Sequence, residues 1–306
     1  MNWLKLKRII KGVLFDKDRR FLYLAKAGLY NWMSDEEYIM RRFKALMGYE
    51  FDMDNPKTFN EKLQWLKLHD RNPLYTTLVD KYEVKKYVAD IIGEEYIIQT
   101  LGVWERFEDI DFDTLPNQFV LKCTHDSGSC VIVKDKGNIN KKAIKKKLNH
   151  ALKENFYYTG REWPYKNVKP RIIAEKYMTD NGNELSDYKF MCFNGKVCCS
   201  FVCSERQSES GLKVTFYDEK WDVMPFERHY PKSNQPTAKP KNYEKMVELS
   251  EKLANNIPFV RVDFYDIMGQ IYFGELTFYP GNGCEEFRPF EWDKLLGEWI
   301  ELRAYK

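Results

Sequence analysis

"FVRVDFYDIMGQIYFGELTFYPGNG", residues 259–283, has the pattern of two apolar strands joined by a turn at Met268 and Gly269, followed by a Gly-rich turn. Each strand carries a carboxylate among apolar residues, Asp263 in the first and Glu275 in the second. We expect an antiparallel hairpin that is symmetric about the turn and therefore places the two acids opposite each other on one face.

Two explanations are open for an acid such as Glu275 in an apolar strand. An edge strand would leave the carboxylate in solvent, whereas a buried one needs a cation, hydrogen-bond donors or a proton. Two adjacent acids repel each other unless a cation lies between them. Oxygen ligands without His or Cys suit Mg²⁺, which also binds substrate phosphates. The hairpin therefore predicts a magnesium site at Asp263 and Glu275.

The bulk composition indicates a globular chain with a sizeable core, because 43% of its 306 residues are apolar. A net charge of only +3 and the absence of an aromatic-basic motif argue against a nucleic-acid partner. None of the seven cysteines shows zinc-site spacing, so we expect buried thiols in a reducing, cytoplasmic compartment.

The first 15 residues place Trp3, Leu6, Ile10 and Val13 at helical spacing, with Lys and Arg between them. This pattern fits an amphipathic helix lying in a membrane interface as well as a helix docked on the protein. Peripheral contact of residues 1–15 with the inner face of the membrane is therefore one of two expectations.

Residues 1–78 have helical patterns, including a capping box at Thr58 and Glu61. Later residues mix strands, hairpins and helices, which predicts an α+β fold with antiparallel sheets. In "FVLKCTHDSGSCVIVK", residues 119–134, a strand reaches Lys122 and a small polar loop follows. Backbone amides around Gly128 suit an anion, although the segment alone also fits a plain hairpin turn.

"RIIAEKYM", residues 171–178, ends a strand at Glu175 and Lys176, which are either exposed strand-end charges or a hinge that holds an adenine. In "REWPYK", residues 161–166, the aromatic side chains fit sugar stacking or core packing equally well. A basic helix fits a solvated face or contact with a polyanion. Its cations are Lys141, Lys142, Lys145, Lys146 and Lys147.

The order of these signals from about Asp80 to the C-terminus resembles the ATP-grasp fold, in which two α+β subdomains close on Mg-ATP. The segments that carry a narrower resemblance are "NPKTFNEKLQWLKLHD", "DKYEVKKYV", "EWPYK", "AEKYM", "DYKFMCFNGK", "FVRVDFY" and "FGELTFYPGNG". They are similar to the TupA-like ATP-grasp family, which is found with bacterial teichuronopeptide and capsular polysaccharide biosynthesis.

The resemblance implies a helical region at 1–78 and an ATP-grasp domain at 79–306. Within that domain, 79–173 would carry the phosphate loop and 174–306 the hinge and metal site. The nucleotide-binding positions it implies are Lys81, Lys122, His125, Ser127, Gly128, Ser129, Glu175, Lys176, Met178 and Asp187. The implied catalytic cations are Lys189, Arg206 and Arg261, and the implied Mg²⁺ ligands are Asp263, Glu275 and Thr277. The resemblance thus implies that Glu275 is buried because a metal faces it.

Two positions depart from the usual ATP-grasp pattern. Thr277 stands where Asn is common, which weakens a second metal site more than the first. The loop carries Thr124 where Asn is expected, together with Asp126, whose charge would either hold a substrate amine or weaken ATP binding.

The resemblance also implies an ATP-dependent carboxylate–amine ligase that acts through an acyl-phosphate. We expect it to join an amino acid or other amine to a uronic acid or similar saccharide carboxylate, in association with polysaccharide-assembly enzymes. The alternatives are a phosphotransferase acting on a sugar hydroxyl, a nucleotide-sugar glycosyltransferase and a binding module without catalysis.

Overall fold

The computed structural model describes residues 16–180, 185–205, 208 and 211–302. The expected membrane helix of residues 1–15 and the expected catalytic cation Arg206 lie outside these residues. None of the helices in the described part of the chain is long and apolar enough to cross a membrane.

The described helices are concentrated in the first third of the chain. They are α1 (Lys17–Lys26), α2 (Asp35–Met47), α3 (Phe59–His69), α4 (Leu74–Val79), α5 (Glu83–Ile92), α6 (Lys141–Ala151), α7 (Tyr157–Gly160), α8 (Tyr243–Leu253) and α9 (Glu291–Glu298). Helix α3 begins with the predicted capping box, in which Thr58 and Glu61 satisfy each other's backbone N–H groups.

The strands follow in chain order as β1 (Thr100–Trp104), β2 (Phe119–Cys123), β3 (Val131–Val133), β4 (Ile172–Lys176), β5 (Asp187–Phe193), β6 (Lys196–Ser204), β7 (Lys213–Tyr217), β8 (Glu227–Arg228), β9 (Phe259–Ile267), β10 (Gln270–Thr277) and β11 (Phe287–Arg288). They form a four-stranded sheet in the order β1-β4-β2-β3, a five-stranded sheet in the order β10-β9-β5-β6-β7 and a small β8–β11 pair. All these pairings are antiparallel, which confirms the predicted α+β class.

The acidic hairpin forms as predicted, but its register is not symmetric. Met268 and Gly269 make the turn with φ angles of 50° and 83°. Pairing from Gln270–Ile267 to Phe273–Phe264 is regular and, if continued, would place Gly274 opposite Asp263. A β-bulge at Gly274 shifts the register by one residue, so Glu275 pairs with Asp263. The two acids therefore lie opposite each other because of the bulge and not because of symmetry.

Helices α3, α4 and α5 share the main hydrophobic core, whereas α1 and α2 pack in a small cluster of their own. Phe59 and Leu63 of α3 pack in the same cluster as Phe190 and Phe259 of the five-stranded sheet. The four-stranded sheet has its own cluster, which includes Leu121 and α6. Strand β4 belongs to that sheet and ends at Lys176, so the sheet extends past the subdomain boundary expected at 173.

Two sequence expectations need correction. Strand β1 was not anticipated, because "TLGVW" contains Gly102 and lacks clear alternation. The expectation of buried thiols holds for Cys123, Cys192 and Cys199, but Cys130 is exposed.

Helices α3 and α9 pack at close range through two buried contacts. Asp293 of α9 accepts the Asn60 backbone N–H at 3.0 Å and its side-chain amide at 2.9 Å. One turn further along α9, a Cβ on Gly297 would lie 2.3 Å from the Lys57 carbonyl oxygen. Only a residue without a side chain fits at this crossing.

We expect Gly297→Ala to destabilise the protein by about 1–3 kcal/mol, because the added methyl forces α9 away from the start of α3. This sign is opposite to that of helix propensity, which favours Ala over Gly by about 1 kcal/mol. Urea denaturation measures the change, with the exposed Lys294→Ala on the same helix as control. A gain in stability would show that the two helices are not in close contact.

Candidate active site

A cavity of about 190 Å³ lies between the two sheets. Its walls are mainly apolar, with basic residues and one acid at one side. They are Lys81, Lys85, Ile97, Ile98, Val120, Lys122, Cys130, Ile132, Glu175, Lys176, Tyr177, Met178, Leu185, Tyr265, Phe273 and Gly274. We call this cavity the apolar chamber.

A second cavity of about 180 Å³ adjoins the first and shares Lys81, Lys122, Tyr265 and Gly274 with it. We call this second cavity the polar chamber. The residues that line it but not the apolar chamber are all charged, namely Asp187, Lys189, Asp263 and Glu275. The fold thus brings together most of the described residues that the sequence predicted for nucleotide and metal.

Glu175 joins two lysines at the boundary of the chambers. Its carboxylate lies 2.6 Å from Lys85 Nζ and 2.6 Å from Lys122 Nζ. Burial alone would raise the pKa of Glu175, but the two ammonium groups outweigh it and hold that pKa below its usual value. Glu175, the carboxylate expected at the adenine hinge, therefore holds two ammonium groups in position at the site.

Lys85 was not predicted from the sequence. It donates to the Ile98 carbonyl at 2.6 Å, and burial lowers its pKa despite the attraction of Glu175. The sequence could have indicated Lys85, because it follows Lys81 by four residues and residues at that spacing lie near each other around a helix start.

The predicted phosphate loop is fixed to the start of α5. The Lys81 backbone N–H donates to the Thr124 carbonyl at 3.0 Å, and the Lys81 ammonium donates to the Asp126 carbonyl. Ser129 closes the loop by donating to Asp126 at 2.7 Å and accepting the Cys123 N–H at 2.8 Å. The Asp126 carboxylate is therefore engaged within the loop.

Only part of this loop is exposed for ligand contact. Ser127 and Gly128 are exposed, and Gly128 has a φ of 104° with open space where a Cβ would be. His125 is buried, and its Nε2 lies 3.2 Å from the carbonyls of Ala151 and Glu154. Because both partners are acceptors, Nε2 carries the proton, and His125 ties the loop to the end of α6.

The polar chamber is built from one row of residues across three strands. Lys189 of β5 pairs with Asp263 of β9, which pairs with Glu275 of β10. The Lys189 ammonium contacts Asp263 and lies 2.6 Å from Asp187. Arg261 donates to Asp263 at 2.6 Å and to Glu275 at 2.6 Å, so it bridges the two acids.

In these surroundings the pKa values of the two buried acids, Asp263 and Asp187, shift in opposite directions. Burial would raise the pKa of Asp263, but Arg261 and Lys189 outweigh it and hold that pKa below its usual value. Burial raises the pKa of Asp187, which Lys189 only partly offsets. The carboxylate expected at the ribose thus lies in the polar chamber beside Lys189.

Glu275 is not buried, which corrects the sequence expectation. It lies on β10, the edge strand of the five-stranded sheet, and 45% of its side chain is exposed. Its Oε1 accepts from Arg261 at 2.6 Å and from Thr277 at 3.0 Å. Its Oε2 accepts from no described residue.

The donor set fits one hard cation better than two. Carboxylate oxygens are the ligands Mg²⁺ prefers, and Glu275 Oε2 is available to one. Asp263 has both oxygens engaged by Arg261 and Lys189, and the Thr277 hydroxyl donates to Glu275. Among the described residues, no three His, Cys, Asp or Glu side chains group closely enough to hold a metal alone. An ion here would therefore need oxygens from a substrate as well.

The two aromatic residues of the 161–166 segment have different surroundings. Trp163 donates its indole N–H to the Asp70 carbonyl at 3.0 Å and packs against the main core. Tyr165 lines a small pocket with Lys81 and Glu275, next to the polar chamber. Core packing thus describes Trp163, whereas Tyr165 lies beside the site.

A buried polar network holds the turn that follows β10. Lys67 of α3 is 1% exposed and donates to the Asn282 carbonyl at 2.9 Å and to its side-chain oxygen at 2.8 Å. Asn282, which has a φ of 59°, donates to Glu162 at 2.5 Å. Burial lowers the pKa of Lys67 to about 8 and raises that of Glu162. The helical N-terminal region thereby fixes the turn that follows β10.

The sequence comparison matches residues 61–301 to the family described as TupA-like ATP-grasp. The chain belongs to the TupA-like ATP-grasp family. This match confirms the resemblance inferred from the sequence motifs and covers both sheets and helix α3. No curated protein matches the chain.

Among solved structures, the TupA-like chain is similar to D-alanine–D-alanine ligase from Bacillus anthracis, with 16% identity and a TM-score of 0.38 over 66% of this chain and 57% of that one. It is similar to the Helicobacter pylori enzyme of the same name, with 16% identity and a TM-score of 0.40 over 79% and 69%. D-cycloserine synthetase gives 14% identity and a TM-score of 0.39 over 75% and 72%. The chain thus spans little more than half the length of the first of these proteins.

We expect Glu175→Gln to destabilise this TupA-like protein by about 3 kcal/mol at neutral pH, because it leaves Lys85 and Lys122 without their buried anion. The folded-state pKa of Glu175 lies below its usual value of 4.5, so its contribution is present above that pH and is lost as the pH falls through the folded pKa. Urea denaturation at several pH values measures the difference from wild type, which should narrow in acid.

The matched control for this prediction is Glu83→Gln. Glu83 pairs with Arg171 at 2.8 Å, but 49% of its side chain is exposed, so the expected loss is under about 1 kcal/mol. Equal losses in the two variants would show that Glu175 does not act as a buried counter-ion.

Proposed function

We propose that this TupA-like protein is an ATP-dependent carboxylate–amine ligase that works through an acyl-phosphate. The observation that carries the proposal is the junction of an apolar chamber with a polar chamber, with Lys81 and Lys122 at the boundary. Family membership supports the use of ATP.

The apolar chamber suits a nucleotide base. Ile98, Ile132, Met178 and Phe273 offer flat apolar contact, and the chain from Lys176 to Met178 offers backbone groups. The Lys176 N–H is already donated to the Gln99 carbonyl at 3.0 Å, so recognition of the base edge falls to the backbone that follows.

The polar chamber suits the transfer of a phosphoryl group. Lys81, Lys122 and Lys189 converge on it and would hold phosphate oxygens, and Arg261 binds Asp263 and Glu275 and holds them side by side. Glu275 Oε2, together with oxygens of the nucleotide, would hold Mg²⁺, which when bound neutralises charge on the transferring phosphate. The side chains contribute position and charge and no covalent chemistry.

In the proposed reaction, a substrate carboxylate oxygen attacks the γ-phosphorus and ADP leaves. A substrate amine then attacks the carbonyl carbon of the acyl-phosphate, phosphate leaves with the C–O electron pair, and the amine gives up a proton. We propose a uronic acid or similar saccharide carboxylate as acceptor, in the biosynthesis of a surface polysaccharide such as capsule or teichuronopeptide. Because ATP is the donor, the proposed setting is the cytoplasm, in association with polysaccharide-assembly enzymes.

We expect wild type to bind ATP in calorimetric titration only when Mg²⁺ is present, and Glu275→Gln to bind Mg-ATP at least about tenfold more weakly. The reason is the loss of the carboxylate oxygen that faces the polar chamber. In excess EDTA neither protein should bind ATP, so the difference between wild type and variant should disappear.

The control for this titration is Glu286→Gln. Glu286 is exposed and pairs with Arg288 at 2.8 Å, away from the chambers, so Mg-ATP affinity should be unchanged. Equal affinity of wild type for ATP with and without Mg²⁺ would contradict the metal assignment. Absence of binding to folded wild type would contradict the whole proposal.

Hydroxylamine separates the proposed ligase from a phosphotransferase acting on a sugar hydroxyl. With ATP, Mg²⁺ and a panel of uronic acids, we expect a hydroxamate, because hydroxylamine attacks an acyl-phosphate and not a phosphate ester. Formation of ADP and a phosphorylated sugar without hydroxamate would favour the phosphotransferase.

A further inference from the structure

Lys85 and Lys122 share the carboxylate of Glu175 but are held differently. Lys85 Nζ lies 2.6 Å from Glu175 Oε1 and Lys122 Nζ lies 2.6 Å from Oε2, so each oxygen contacts one ammonium group. Lys85 also donates to the Ile98 carbonyl at 2.6 Å. In the described part of the chain, Lys122 has no acceptor other than Glu175. Lys85 is therefore the more firmly held of the two cations.

The two lysines also differ in the space that they line. Lys122 lines both the apolar and the polar chamber, whereas Lys85 lines the apolar chamber alone. Phosphate oxygens in the polar chamber would therefore meet Lys122 and not Lys85. An ammonium group has three donors but one charge, so the phosphates and Glu175 would compete for Lys122.

Glu175 is fixed beside the two lysines. It lies on β4 between β1 and β2, where it pairs with Thr100 on one side and Val120 on the other. Its side chain is only 7% exposed. A carboxylate buried in this way is stabilised only while a cation or a donor remains beside it. Drawing Lys122 toward a phosphate would therefore be costly without a second cation at Glu175.

We propose that Lys85 is a positioning residue of the nucleotide site, which keeps Glu175 paired while the phosphates of a nucleotide compete for Lys122. Lys85 can do so without leaving its place, because the Ile98 carbonyl also holds its ammonium group. Its contribution depends on the phosphates of the ligand and not on the base. This role rests on the proposed function, since it requires a nucleotide in the two chambers.

Loss of Lys85 should weaken nucleotide binding only through the phosphates. In Lys85→Met, Lys122 is the one cation left beside Glu175, and Mg-ATP competes with the carboxylate for it. Adenosine has no phosphate and does not draw on Lys122. We expect Lys85→Met to bind Mg-ATP at least about tenfold more weakly than wild type, and adenosine within about twofold of wild type. Calorimetric titration measures Mg-ATP, and displacement of Mg-ATP measures the weaker adenosine.

A double variant shows whether Lys85 acts through Glu175. In the Glu175→Gln background no carboxylate is left without a cation, so Lys85→Met should change Mg-ATP affinity by less than about threefold. Lys85→Arg keeps the positive charge and should recover most of the lost affinity. If thermal melts show that Lys85→Met does not fold, Lys85→Gln makes the same comparison, because it removes the charge and keeps a donor.

The matched control is Lys86→Met. Lys86 is the next residue on α5, but it is largely exposed and pairs with Asp90 at 2.8 Å, outside both chambers. This variant should bind Mg-ATP and adenosine as wild type does.

Three outcomes separate this role of Lys85 from the ligase proposal. Equal Mg-ATP affinity of Lys85→Met and wild type, or an equal loss of adenosine affinity, would overturn the role of Lys85 and leave the ligase proposal in place. An undiminished effect of Lys85→Met in the Glu175→Gln background would show that Lys85 does not act through Glu175, which also overturns it. Absence of Mg-ATP binding to folded wild type would contradict the ligase proposal, and the role of Lys85 with it.

Discussion

The arrangement of charged side chains where the five-stranded sheet lines the polar chamber depends on Arg261. Asp263 and Glu275 lie opposite each other on neighbouring strands, and like charges in that position repel. The guanidinium of Arg261, two residues before Asp263 on the same face of β9, bonds to both acids and removes that repulsion. Lys189 compensates Asp263 from the other side. The result is a row of ionised groups held in fixed positions before any substrate arrives, which is what electrostatic catalysis requires.

In the four-stranded sheet the arrangement of charges has the opposite signs, because two cations share one anion. There a single buried carboxylate, Glu175, holds two lysines that would otherwise repel each other, Lys85 from a helix and Lys122 from a strand. Each sheet thus carries charges together with their counter-ions on strands that line the chambers. Helix α3 adds a third constraint, because its Lys67 fixes the turn after β10.

Much of this was accessible from the amino-acid sequence. The capping box at Thr58, the hairpin around Met268 and the strand that contains Lys122 depend on local chemistry, and each forms, although a bulge shifts the register of the hairpin and the strand continues to Cys123. The errors share a physical cause. Glu275 was expected to be buried because its neighbours are apolar, but β10 is an edge strand, and edge position is a property of the whole sheet. The ion-pair role of Glu175 depends on which cations other elements bring within reach, and Lys85 comes from a distant helix.

The sequence by itself determined the α+β class, the family and the identity of most charged residues that line the two chambers, because periodicity, caps and motif order are written in consecutive residues. Only the tertiary structure decided the partners of the charges. The bulge at Gly274 selects which residue faces Asp263, and packing of α5 against the sheets brings Lys85 to Glu175. Likewise, the buried Arg161 binds the carbonyl of Met33, which lies 128 positions earlier in the chain. Contacts between residues far apart in the chain depend on the closure of the whole fold, and no local pattern encodes them.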